Sequence, residues 1–92
     1  MRTYWDMHGT FNTVQLRRIT SLKITSEPSG FTHTSFRIME GPLPKLEQIL
    51  RLNAPALLIL SDQTIEGTIV QYSADLHHGY EVMIESKTSE GV

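Results

Sequence analysis

The sequence contains no cysteine, which excludes disulfide bridges, zinc sites built from thiolates and catalytic cysteine nucleophiles. It also lacks a long apolar run. The longest run, residues 54–60, is far shorter than the roughly 20 residues that a membrane-crossing helix needs. The N-terminus, MRTYWDMHGT, has no apolar segment of the signal-peptide type. We therefore predict a soluble, cytoplasmic protein that makes no contact with a membrane.

Motifs for catalysis and cofactor binding are missing as well. The sequence has no G-x-S-x-G elbow, no P-loop, no G-x-G-x-x-G turn and no H-E-x-x-H pair. None of the residue patterns that expose a nucleophile, cradle phosphates or bind zinc is therefore present. We expect a protein that is not an enzyme and that uses no cofactor.

Two adjacent histidines, His77 and His78, are weak candidates for metal binding. Asp75 and Glu81 lie close to them in the sequence, and imidazole and carboxylate groups are common zinc ligands. Adjacent side chains on an extended segment point to opposite sides, so the pair does not easily chelate one ion. We expect no metal, and we interpret the two histidines as ordinary titrating groups of a loop.

The chain is of a length and composition that favour one small globular domain. It has 92 residues, of which 39% are hydrophobic and 20% charged, values that argue against a disordered or fibrous protein. No internal repeat or linker divides the sequence. We predict a single domain over residues 1–92, in which residues 86–92 form a disordered polar tail.

The first half of the sequence alternates in the manner of β-strands. A strand is predicted over residues 14–25, with a bulge or bend near residues 17–19 that interrupts the alternation and leaves Ile19 facing the other way. A turn rich in Pro and Gly follows at residues 27–30, and a second strand at residues 33–39 has Phe36 and Ile38 inward. The expected inward positions of the first strand are Val14, Leu16, Leu22 and Ile24.

A short amphipathic helix is predicted next. Pro44 suits the first helical turn, because its missing amide hydrogen would be unpaired there. Glu47 and Arg51 are spaced to form a stabilising pair, and the helix must end near Asn53 because Pro55 disfavours helical backbone before it. The apolar stripe of this helix consists of Leu43, Leu46, Ile49, Leu50 and Leu52.

The last part of the sequence predicts a three-stranded meander. Residues 56–60 show no polar alternation, which is typical of a central strand covered on both faces. A tight turn at residues 61–64 leads to a strand at 65–73, where Gly67 marks a bulge or a close backbone approach, and a final strand covers residues 80–85.

The order of elements is β-β-α-β-β-β, with a further short strand expected near residues 3–5. We assign the α+β class: a small antiparallel sheet, strongly bent or closed into a barrel, with one short helix over its face or end.

The segment Ile65-Glu66-Gly67-Thr68-Ile69-Val70-Gln71-Tyr72 resembles a strand of the Sm-like family of RNA-binding barrels. In that family a short helix precedes an apolar strand, a polar turn and a strand of this pattern, and the resemblance extends over roughly residues 43–84. It implies a small bent barrel. The Asn-containing base-binding signature of the family is absent, so the resemblance assigns no RNA-binding residue.

Charge supplies the candidate contact surfaces. The net charge is −2, but residues 1–44 carry five basic and three acidic side chains (+2), whereas residues 45–92 carry three and seven (−4). Such polarity can orient a partner or a second copy of the chain. The expected strand alternation places Arg17, Lys23 and Arg37 on one outward basic face, and the acidic hairpin loops contain Asp62, Glu66 and Asp75.

Our first hypothesis is a non-enzymatic protein-binding module, such as a regulator, inhibitor or adaptor, that recognises its partner through these six residues. It could also associate with itself through an exposed strand edge. The alternative is a small nucleic-acid-binding barrel that uses the same basic face, whose affinity would fall steeply with salt.

Overall fold

The computed structural model of the protein describes residues 7–40, 43–75 and 79–87. The elements are β1 (Met7–Phe11), β2 (Val14–Ser26), β3 (Phe31–Ile38), α1 (Pro44–Ile49), β4 (Pro55–Leu60), β5 (Thr64–Asp75) and β6 (Gly79–Lys87). The six antiparallel strands close into one barrel in the spatial order β1-β2-β3-β6-β5-β4. The short helix α1 lies between β3 and β4 in the sequence.

The predicted element order is confirmed from β2 to β6, and the sheet is a closed antiparallel barrel. The α+β label fits only loosely, because the helix has six residues and strands make up most of the fold. An additional N-terminal strand is present at Met7–Phe11, and the strand expected near residues 3–5 lies outside the described residues. The last strand continues through Ser86 and Lys87, two positions that the sequence assigned to a tail.

Two irregularities shape β2. Met7 pairs with Ile19 and Gly9 with Leu16, so β2 contains one residue more than β1 in this interval, which confirms the bulge predicted near residues 17–19. The ladder with β3 shifts again between Thr20 and Lys23. The first extra residue reverses the alternation, so Ile19 is fully buried rather than outward. The second restores it, so Ile24 projects to the same side as its buried neighbour Thr34, as predicted, but it is nevertheless 46% exposed.

The strand β4 differs from its prediction. Ala56, Leu58 and Leu60 are buried in the core, but Ile59 is 43% exposed and Leu57 is partly buried. The prediction that both faces are covered was therefore wrong. A closed barrel buries its inner side, so alternate residues of an uninterrupted apolar strand must face outward.

Barrel closure depends on the seam between β1 and β4, which join as antiparallel neighbours from Gly9 opposite Leu60 to Phe11 opposite Leu58. The turn after β1 extends this seam. Asn12 donates its backbone N–H to the Leu57 carbonyl, and its side-chain oxygen accepts the Leu57 N–H at 2.7 Å. Its side-chain amide also donates to the Pro55 carbonyl. Asn12 adopts a left-handed conformation, with a φ of 48°, that Asn tolerates better than most residues.

The helix α1 packs onto the barrel through its apolar residues and one tyrosine. Leu46 and Leu50 belong to the same buried cluster as the inner residues of the strands. The Tyr80 hydroxyl of β6 donates to the Glu47 carboxylate at 2.6 Å and accepts the Leu43 N–H at 2.8 Å. The helix ends earlier than predicted, because Leu50 already has an extended backbone.

The barrel interior is a single apolar core. Phe11 and Phe36 meet edge to face, with ring centroids 5.7 Å apart, a geometry favoured by aromatic quadrupoles. Along the described parts of the chain, no helix is long and apolar enough to cross a membrane. The buried apolar residues are Phe11, Leu16, Ile19, Phe36, Ile38, Leu46, Leu50, Ala56, Leu58, Leu60, Ile65, Ile69, Tyr80, Val82 and Ile84.

Candidate functional site

The C-terminal part of β5 extends beyond its neighbour β4. The ladder between the two strands ends with Pro55 opposite Thr68, and Ile69 is the last β5 residue that bonds to the preceding chain, through Asn53 and Ala54. From Gln71 to Asp75, β5 pairs with β6 on one side, and on the other side no described residue pairs with it. We call this segment, residues 71–75, the free edge.

The free edge is accessible and its exposed residues are uncharged. Gln71, Tyr72, Ser73 and Ala74 are all exposed. Natural strand edges are commonly protected by lysine, by proline or by an inward-pointing charge, and none of these occurs among the four residues. Alternate residues of the segment therefore present N–H and C=O groups that an additional strand can pair with.

An open groove of about 230 Å³ lies beside the free edge and is formed by residues of β3, β5 and β6. Two rows of cross-strand neighbours form its outer surface, because residues opposite each other in a ladder project to the same side. One row runs from Arg37 through Glu81 to Ser73, and the other runs from Ser35 through Met83 to Gln71. The groove is lined by Ser35, Gln71, Tyr72, Ser73, Glu81, Val82 and Met83. We call this surface the groove face.

The charges at the groove face largely compensate each other. Arg37 and Glu81 are opposite each other on β3 and β6, with 3.0 Å between Nη2 and Oε2. Both side chains are substantially exposed, so the pair adds little stability, but it leaves this row without net charge. The middle of the surface consists of small hydroxyl side chains and one methionine.

Tyr72 is the large apolar side chain of the free edge. It lies opposite Val82, whose side chain is buried in the barrel. Tyr72 nevertheless remains 39% exposed, because the ladder between β4 and β5 ends at Thr68 and β4 does not extend beside Tyr72. An aromatic ring with a polar tip in such a position is typical of interface anchors.

The structure separates the three basic residues that the sequence placed on one face. Lys23 lies opposite Ser35 of the groove face. Arg37 belongs to the groove face itself, in the row with Glu81 and Ser73. Arg17 is exposed at the β2 bulge, where the Glu40 carboxylate accepts the backbone N–H groups of Arg17 and Arg18. A carboxylate therefore lies beside Arg17.

The three predicted acidic residues do not share a surface. Asp62 lies in the turn between β4 and β5 and Glu66 is exposed opposite Leu57, whereas Asp75 is the last residue of β5. Because β5 has 12 residues, its ends are separated by about 35 to 40 Å. Of the three, only Asp75 belongs to the free edge.

The histidine that the structure brings into contact with carboxylates is His33 of β3. Its Nε2 atom is 3.0 Å from Glu85 and its Nδ1 atom is 3.5 Å from Glu27. The hydrogen bond with Glu85 raises the pKa of His33 above its ordinary value of 6.5, burial opposes this effect, and Glu27 adds to it. His77 and His78 lie outside the described residues. Within the described portion, no group of three His, Asp or Glu side chains is arranged to hold a metal ion.

Sequence reasoning missed the residues that form the free edge and the groove. Ser35, Gln71, Tyr72 and Met83 were interpreted as ordinary strand positions. One signal was present, because residues 71–74 lie in an uncharged run between Glu66 and Asp75. The sequence pattern does not show where the pairing of β4 with β5 ends.

Comparisons with known proteins identify no relative. No protein-family model, no curated protein and no solved structure matches this chain. The resemblance of residues 43–84 to the Sm-like barrels therefore remains a local one, and the groove face and the free edge are the features that bear on function.

Proposed function

We propose that this protein is a non-enzymatic protein-binding module that takes an extended segment of its partner along the free edge of β5. The observation that carries this proposal is the exposed, uncharged segment from Gln71 to Ala74, which pairs with β6 on one side and with no described residue on the other. Adding a strand to such an edge pairs its open main-chain groups, and this mode of recognition is common among peptide-binding domains.

The groove face would provide the specificity. In strand addition, backbone hydrogen bonds give affinity while side-chain pockets select the sequence. The groove between Ser35, Met83 and Gln71 begins beside the edge and can receive a side chain of the added segment. Tyr72 supplies a rigid aromatic contact that costs little conformational entropy to immobilise.

Nucleic acid ranks second because positive charge at this surface is largely compensated. Phosphate binding depends on several cations that replace counterions. At the groove face Arg37 is paired with Glu81, which leaves Lys23 as a cation without a carboxylate partner among the described residues. Arg17 lies apart from this surface at the β2 bulge, where its backbone N–H donates to Glu40. Nucleic-acid binding is therefore the alternative function that the test must distinguish from protein binding.

The test is site-specific photocrosslinking in cells. A benzoylphenylalanine replaces Tyr72 in one variant and Gln15 in another. Gln15 is an exposed residue of β2, opposite Thr10 of β1, on the other side of the barrel. We expect protease-sensitive adducts from the variant at position 72 and none from the variant at position 15.

Three results would contradict the proposal: adducts removed by nuclease, equal adducts from both positions, or no adduct from position 72. The first would favour the nucleic-acid alternative. A matched salt series helps to separate the two hypotheses, because phosphate contacts weaken steeply with salt and a backbone-paired strand does not.

A further inference from the structure

We infer that the segment bound along the free edge is the same segment of a second copy, so that two chains pair through β5 in antiparallel orientation. This inference rests on the proposed function and names the partner of the same site. Two identical edges related by a twofold axis form an isologous contact, in which each residue meets its counterpart symmetrically.

The sequence of the free edge is compatible with itself in this arrangement. With the twofold axis at Ser73, position 73 meets position 73, Tyr72 meets Ala74, and Gln71 meets Asp75. The large Tyr72 side chain then lies opposite a small one, and no charged residue faces a like charge, a pairing that would destabilise the ladder. Residues 69–74 contain no charge at all.

The single acidic residue of the segment is also tolerated. In this register the two Asp75 residues are four positions apart along the ladder, or about 13 Å at a strand rise of about 3.3 Å per residue. That separation exceeds the Debye length of about 8 to 10 Å at physiological salt. Their mutual repulsion is consequently weak.

Self-pairing would also remove the hazard that the free edge creates. An uncharged exposed edge is a template for uncontrolled aggregation. When two copies pair antiparallel, each edge is consumed by the other, and assembly stops at two chains because the contact is closed. The expected species is a dimer with twice the 10.4 kDa mass of one chain.

The absence of cysteine allows a direct test. A Ser73→Cys variant contains one thiol, which can form a disulfide only with another copy. Residues opposite each other in an antiparallel ladder have Cα distances that a disulfide can bridge. The control is Thr64→Cys, which is exposed on the same strand but at a position where β4 already pairs with β5.

Under mild oxidation we expect most Ser73→Cys chains, and few Thr64→Cys chains, to become covalent dimers. A mixture of Tyr72→Cys and Ala74→Cys chains should cross-link better than either variant alone. Efficient dimers from Tyr72→Cys alone would overturn the proposed register, and equal cross-linking at positions 64 and 73 would overturn the pairing itself.

Sedimentation of the unoxidised proteins gives a second measurement. The wild-type chain should sediment as a dimer, Ser73→Lys as a folded monomer and Thr64→Lys as a dimer. A wild-type monomer, or a Ser73→Lys dimer, would overturn the inference. If the wild-type chain is a monomer and position 72 cross-links to a different protein, self-pairing fails while the protein-binding function stands; if position 72 gives no protein adduct, both fail.

Discussion

Gly67 illustrates how one residue fixes the distance between two strands. A Cβ atom at this position would lie 2.3 Å from the Glu85 carbonyl oxygen and 2.8 Å from the Ser86 hydroxyl. The neighbour is backbone, so it cannot move aside as a flexible side chain would. The close approach predicted at Gly67 is confirmed, and the bulge of β5 lies further along, between Ile69 and Gln71.

We expect Gly67→Ala to destabilise the barrel by about 1 to 3 kcal/mol, the usual range for forced overpacking. Urea unfolding followed by circular dichroism measures the difference. The control is Glu66→Ala at the adjacent exposed position, where a surface substitution should change stability by less than about 0.5 kcal/mol. Equal losses in the two variants would show that the approach to β6 is not the cause.

His33 makes stability depend on pH. Its pKa is raised in the folded protein, first by the hydrogen bond with Glu85 and further by Glu27. The protonated form is therefore favoured by folding, and the resulting contribution to stability is fully present below pH 6.5 and is lost as the pH rises through the raised pKa.

We expect wild-type thermal stability to fall more steeply than that of His33→Gln as the pH rises from 6 to 8. Because the two proteins differ only at this position, the difference between their pH profiles isolates the imidazole. Parallel pH profiles would contradict the assignment, and an NMR titration of the His33 ring would then show its pKa at the ordinary value.

At the scale of elements, the contact of α1 with the barrel depends on Tyr80. This side chain is almost completely buried, and its hydroxyl connects Glu47 and the Leu43 backbone to β6. Burial and the Glu47 carboxylate raise the pKa of Tyr80, so the hydroxyl keeps its proton and remains a donor. The helix has six residues and is too short to be stable alone.

We expect Tyr80→Phe to cost about 1 to 3 kcal/mol, because it leaves the Leu43 N–H and the Glu47 carboxylate without their partner. Hydrogen exchange should show faster opening of α1 with little change in β2 and β3. Glu47→Gln, which keeps an acceptor for the hydroxyl, serves as the milder variant. If α1 exchanged at the wild-type rate in Tyr80→Phe, the hydroxyl would not hold the helix.

Local chemistry explains which elements could be predicted. The turn at residues 27–30, the proline that begins α1 and the turn at residues 61–64 are determined by residues close in sequence. The bulge near residues 17–19 also left a local signature, because the apolar alternation fails there. The sequence pattern does not show the long-range pairing: a second shift between Thr20 and Lys23 restores the alternation that the first bulge reversed, and it left no comparable signal.

For the whole molecule, closure of the barrel is the property that sequence reasoning left open. A strand without polar residues fits a central strand covered on both faces as well as it fits a barrel wall. The exposure of Ile59 identifies β4 as part of a barrel wall, but it follows only from the neighbours of β4 in the fold. The candidate site has the same origin. Lys23 and Arg37 could be assigned outward from alternation, but the free edge exists because β4 begins opposite Thr68, which is a relation between two strands.

The seam between β1 and β4 also determines when β1 can complete its pairing during folding. Gly9 and Leu60 are neighbours across this seam, so the first strand must wait for more than half of the chain before its second partner is available. Such non-local pairing slows folding, because chain entropy is lost before the contacts compensate. A nascent chain on the ribosome can form the hairpin of β2 and β3 early, whereas β1 keeps one open side until β4 emerges and β3 keeps one until β6 emerges.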